Sequence, residues 1–200
     1  MIPSKKQTVR FERGYKTWAE NTALAVRSRL KLTNTDPLCH LDLADHLRVL
    51  IWELDEIDTL AQESIDYLSS KDGDEWSAVT VSAQKTIVVI NPRHSKARKA
   101  SNCMHELAHL LCNHEPAQLS HSAGGLTFRD YNPLQEAEAD WLAGCLILPR
   151  TVLQHCYKSK LTEQDVRNTY SASPDLYNYR LQITGVKKQF RSKEKKPSSD

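Results

Sequence analysis

Apolar positions recur along this chain with two different periods. Phe11, Tyr15, Trp18, Thr22, Ala25 and Arg29 fall three and four apart between Phe11 and Leu30. That spacing lines one side of a helix, and this row is expected to be its buried stripe, with the aromatics as core. Asp36-Pro37 breaks the chain. A short helix over 42–47, a short strand over 48–54 containing Trp52, and a helix over 56–68 with Ile57, Leu60, Ala61, Ile65 and Leu68 facing inward are expected next. Behind the Asp72-Gly73 turn the period changes. The runs 76–82 and 86–90, separated by Ala83-Gln84-Lys85, read as a hairpin whose unbroken Ile87-Val88-Val89-Ile90 is the more buried strand.

The second half returns to the helical period. Ser95 is placed to cap a helix reaching Asn113. A loop containing Gly124-Gly125 leads to Asn132-Pro133, a cap and a first helical residue, opening a helix that extends to Pro149. Shorter helices are expected over 162–170 and 174–184, the latter ended by Gly185. The expected fold class is α+β: a mainly helical domain over 11–186 with a small β-sheet. A loose segment, 1–10, precedes it, and a basic disordered tail, 187–200, follows.

Composition narrows the setting. Hydrophobic residues at 40% and charged ones at 26% are the balance of a soluble globular chain. The longest apolar run, Leu142 to Leu148, is far short of the about 20 residues of a membrane span. No apolar segment follows Lys5-Lys6 as a secretory signal requires, so the expected compartment is the cytoplasm. Five cysteines without a Cys-x-x-Cys pair give neither a disulfide framework nor a thiolate zinc knuckle. The net charge is +2, but the residues from Lys187 onward hold six Lys/Arg against two Asp/Glu, so the body is slightly acidic and unsuited to polyphosphate.

The chemistry is concentrated in two stretches. His105-Glu106-Leu107-Ala108-His109 has the pattern H-E-x-x-H inside the Ser95 helix. Residues four apart on a helix lie one turn apart on the same side, so both imidazoles can bond one metal ion. Glu106 lies about 100° further round, able to reach a water without binding the ion. A catalytic zinc needs a third protein ligand. Glu136-Ala137-Glu138-Ala139-Asp140 begins near the cap of the next helix. Glu136 and Asp140 share a face: Glu136 is the expected third ligand, with Glu138 as substitute. Asp140 can accept the remaining N–H of one ligating histidine and fix its tautomer. A further oxyanion donor is open among His114, His121, Tyr131, Tyr170 and Arg180. Cys112 reads as packing, and His114 suits the negative end of its helix.

These residues resemble the ImmA/IrrE family of zinc-dependent metallopeptidases. The likeness is carried by Ile87 to Pro92, by Cys103 to Leu111, by Glu136 to Ala143 continuing to Leu148-Pro149, and by the closing segment 173–185 with Arg180-Leu181. The chain departs from the family at Ala108, where many members have Gly, and at Leu148, where Met is common. The resemblance implies a gluzincin-like fold, a Zn2+ cofactor and a protein substrate, a repressor-type transcription regulator often tied to mobile genetic elements. The expected activity is that of a zinc metalloendopeptidase with Glu106 as general base and His105, His109 and Glu136 on the metal. Two rivals remain: an antirepressor that binds without cleaving, and a DNA-binding regulator using the helices over 162–184 and the basic tail. Against direct nucleic-acid binding, Glu163, Asp165 and Asp175 sit where phosphates would approach. No membrane partner is expected.

Overall fold

A computed structural model of the chain describes residues 9–57, 78–82, 86–114, 119–121, 127–129 and 132–194. In chain order the helices are α1 Tyr15–Arg29, α2 His40–His46, α3 Lys96–Leu111, α4 Pro133–Ile147, α5 Arg150–Lys158, α6 Glu163–Tyr170, α7 Pro174–Thr184 and α8 Val186–Glu194. The strands are β1 Val49–Glu53, β2 Ala78–Ser82, β3 Thr86–Ile90, β4 Leu119–His121 and β5 Thr127–Arg129. The α+β class holds, with a three-stranded sheet ordered β1-β3-β2 and a two-stranded one from β4 and β5. No helix among the described residues is long and apolar enough to cross a membrane.

The β2–β3 hairpin is antiparallel, pairing Thr80 with Val88. β3 is central, and Val88, Val89 and Ile90 are buried, as its unbroken apolar run requires. Its other neighbour, β1, runs parallel to it and pairs Ile51 with Val88. That long-range pairing has no local signal. The strands β4 and β5 lie in what the sequence reads as a loop. The helix expected over 56–68 falls outside the described residues beyond Ile57; Leu54–Glu56 form a single 3-10 turn.

The central element is α4. Residues 142–147 are all buried, so the helix has no polar side along its second half. It packs on α3 and α1. The α1 stripe is not the expected one: Ala19, Ala23 and Val26 are buried, while Trp18 is 40% exposed. The row sits one residue on, because alanines let the two helix backbones approach and the large aromatics lie at the margin. There Tyr15 stacks on Phe11, and Phe11 meets Trp141 edge-on at 5.4 Å. Arg27 is fully buried, and its Nη2 donates to the Leu146 carbonyl at 2.8 Å, tying α1 to the end of α4.

Three further differences concern the C-terminal half. α4 ends at Ile147, and Pro149 caps a separate helix, α5, that buries Val152, Leu153 and Cys156. The stretch from Lys187, expected as part of a loose tail, is helical to Glu194. Val186 is buried, and Phe190 stacks on Tyr157 at 5.2 Å, so two apolar side chains anchor an otherwise polar helix. Gly185, at φ +68°, makes the left-handed turn between α7 and α8. Arg180 is spent inside the fold. Its Nε donates to the Leu148 carbonyl and its Nη2 to Glu20, so this cation does not face outward toward a phosphate.

Candidate metal centre

Helix α3 is fixed in roll by its own periodicity. Ser95 Oγ accepts from the Arg98 backbone N–H at its start. Ala100, Cys103, Met104, Leu107 and Ala108 form a buried row spaced three, one, three and one. His105 and His109 each follow a buried residue of that row and so stand on its flank. α4 presents the opposing flank. Asn132 Oδ1 accepts from the Leu134 and Gln135 backbone, and Ala139, Leu142 and Ala143 are buried. Glu136 and Asp140 are thereby held one turn apart at the edge of the α3–α4 contact.

Across that edge the predicted side chains meet. His105 Nε2 is 3.0 Å from His109 Nε2 and 3.3 Å from Glu136 Oε2, and His109 Nε2 is 3.6 Å from Glu136 Oε1. Ligand atoms bonded at about 2.0–2.1 Å to a tetrahedral ion stand about 3.3–3.4 Å apart. The three distances bracket that value. His105, His109 and Glu136 form a group that could hold a metal ion, their ligand atoms all within 4.8 Å of one another. The donor set also fits: two bare imidazole nitrogens facing each other at this range need a proton or a cation between them.

Electrostatics follow from the same contacts. Burial pulls the His105 imidazole down, but its hydrogen bonds to Asp140 and Glu136 override this and raise it to about 9. Hydrogen bonds from His105 and His109 hold the Glu136 carboxyl well below its usual range. Without an ion the centre therefore favours a proton in the same place, which is the behaviour of a seat for positive charge.

The remaining carboxylates separate by role. Asp140 Oδ1 is 2.9 Å from His105 Nδ1, so of the two histidines it is His105 that Asp140 orients. Glu138, the substitute ligand, points away from the cluster: its Oε2 is 3.2 Å from His114 Nε2. His114 Nδ1 in turn lies 2.9 Å from His109 Nδ1. Burial, followed by the nearby His109, lowers the His114 imidazole despite Glu138. Glu106 is buried and does not join the cluster; its Oε2 accepts from Thr80 Oγ1 at 2.5 Å.

Thr80 is the residue that the sequence reading missed. Its orientation is visible only in the structure: in the strand, Thr80 shares a face with Ala78, which is buried, and so points inward. Of the five oxyanion candidates, three are engaged elsewhere. Arg180 is paired with Glu20, Tyr170 donates to the Thr35 carbonyl, and His114 lies between His109 and Glu138. His121 ends β4, and Tyr131 falls outside the described residues. Cys112 caps the end of α3 with its Sγ 3.5 Å from the Tyr15 hydroxyl, and burial pushes its thiol up, away from the thiolate a metal requires.

The family model described as the IrrE N-terminal-like domain, peptidase family M78, matches residues 60–182, more than half of the chain. No curated protein and no solved structure matches the chain. Since the match runs from ahead of β2 to the last turn of α7 and encloses every residue of the centre, the chain belongs to the IrrE N-terminal-like family of metallopeptidases.

Proposed function

We propose that the chain is a zinc-dependent endopeptidase that cuts a regulatory protein of the repressor type. The reading is carried by the convergence of His105, His109 and Glu136, with Glu106 buried at the adjoining position of the same helix. Two imidazole nitrogens and one carboxylate oxygen are the donors of a catalytic zinc, whereas calcium and magnesium take oxygen ligands. Bound there, the ion supplies Lewis acidity, polarising the scissile carbonyl and bringing water toward ionisation near neutral pH.

The chain's own groups do the rest. Glu106 accepts the proton of the attacking water and returns it to the leaving amine, one carboxylate serving as base and then acid. A structural site has no use for a base beside it, which favours cleavage over binding alone. Asp140 takes the His105 Nδ1–H, leaving Nε2 bare for the metal. Among the described residues β2 pairs on one side only, with β3, so an extended peptide can add along its outer edge beside Glu106. The repressor-type target rests on the family resemblance and not on this geometry.

Metal removal tests the whole reading. Chelator-treated protein is expected to leave a repressor-type target intact, and stoichiometric zinc to restore two fragments in mass spectrometry. Unchanged cleavage by the stripped protein would refute it. Thr80 offers a finer test. Thr80→Val keeps the shape but removes the donor that fixes Glu106, and misplacement of a catalytic group by about 1 Å can cost about 10²-fold. The expected outcome is a kcat lower by about 10- to 100-fold at unchanged zinc content; a wild-type kcat would remove Thr80 from the mechanism.

A further inference from the structure

We infer that His114 and Glu138 form a positioning relay behind the centre, selecting the tautomer of His109 that can bind a metal. The inference rests on the metal-site reading above and deepens it.

The relay is built by the end of α3. Asn113 is in the left-handed region at φ +55°, its N–H bonds to the Leu110 carbonyl, and the His114 N–H bonds back to the His109 carbonyl at 3.0 Å. This double bond pattern closes a helix by folding the chain back over its last turn, and the residue after the left-handed one usually makes an apolar contact there. Here that residue is an imidazole, seated edge-on to His109 with ring centroids 4.9 Å apart.

The direction of the hydrogen bonds is fixed by counting donors. The contact of 2.9 Å between His109 Nδ1 and His114 Nδ1 takes one proton. If His114 held it in the neutral form, its Nε2 would be bare and would face the Glu138 carboxylate at 3.2 Å, acceptor against acceptor. With both rings neutral, the one arrangement with a donor at every contact puts the proton on His109 Nδ1 and the His114 proton on Nε2, donated to Glu138 Oε2. His109 Nε2 is then bare, and that is the atom facing Glu136 and His105. Were His109 protonated on Nε2 instead, the centre would lose a ligand.

The two histidines are thus oriented by unlike means. Asp140, which serves His105, is 76% exposed, whereas the His114 and Glu138 side chains are only 7% and 15% exposed. Water can replace Asp140 as an acceptor more readily than it can enter the buried pair. Glu138 is held in turn by α1, because the Tyr15 hydroxyl donates to its backbone carbonyl at 2.5 Å. The middle acid of the Glu-Ala-Glu-Ala-Asp stretch therefore acts on the metal through His114, from the other side of the helix.

The test compares His114→Phe, Glu138→Ala, Glu138→Gln and Glu138→Met with the full wild-type chain, using zinc in chelator competition. Removing such an outer partner lowers metal affinity about 10- to 100-fold, and this is expected for His114→Phe and Glu138→Ala. Glu138→Gln retains an acceptor oxygen and should recover most of the loss, while Glu138→Met, of similar size but without that acceptor, should not; a purely steric role predicts recovery in both. In zinc-free wild-type protein, histidine nitrogen NMR should find His109 protonated on Nδ1 and His114 on Nε2; this needs no variant to fold. The reverse tautomers, or wild-type zinc affinity in folded Glu138→Ala, would overturn the relay while leaving the metal site standing. A wild-type chain that bound no zinc would overturn both.

Discussion

Glu106→Gln is expected to keep its zinc and lose cleavage. The amide is nearly the shape of the carboxylate, and its carbonyl oxygen can still accept from Thr80 Oγ1, so the side chain stays where it is held. What it loses is basicity. General acid–base catalysis contributes about 10²- to 10⁴-fold, and here one group serves in both steps, so the loss should reach at least the upper part of that range. His105, His109 and Glu136 are untouched, so metal analysis of the variant should match wild type. The measurement is target fragmentation, together with recovery of uncut target bound to the variant. A variant that still inactivates its target without cutting it would hand the function to the binding-only antirepressor.

Glu136→Ala has the other large effect, on the metal itself. Binding of a full zinc ligand set is worth roughly 10–16 kcal/mol near neutral pH. Removal of one of three protein ligands should therefore weaken binding by about 10²-fold or more, with activity lost in parallel. The variant has a second signature in metal-free protein. Glu136 is one of the two hydrogen-bonded carboxylates that raise His105 to about 9. A histidine raised above its unfolded value stabilises the fold fully below that unfolded value, about 6.5, and the contribution is lost as pH rises through the folded one. With Glu136 gone, the His105 titration should move down and the metal-free chain should lose part of its stability at mildly acidic to neutral pH. NMR titration and thermal unfolding at pH 6 and pH 9 would read both. Stoichiometric zinc in this variant would take Glu136 out of the ligand set.

Much of this architecture is legible locally because local rules made it. The caps at Ser95 and Asn132, the stop at Gly185 and the hairpin are read from neighbours a few residues apart, and each stands where expected. The misses have a common cause. The buried row of α1 was displaced by one residue because large aromatics dominate a periodicity count, whereas Ala19 and Ala23 are the residues small enough for the contact with α4. The composition of α8 reads as tail because it is basic, and its two anchors, Val186 and Phe190, gain their value only from the surfaces they meet.

The same division runs through the centre. The sequence alone determined that two imidazoles share one side of a helix with a glutamate between them, since 3.6 residues per turn leave no other arrangement. It also put Glu136 and Asp140 on one face of the following helix and Glu138 on another. It could not determine which face would look at α3. Residues 142–147 of α4 are apolar on every side, so the helix carries no pattern that sets its own roll, and packing between α1 and α3 decides it. Tertiary structure alone therefore assigned Glu136 to the histidine pair, Glu138 to His114 and Thr80 to Glu106. Each of these contacts joins side chains 24 or more residues apart, a separation at which only the packed core specifies position.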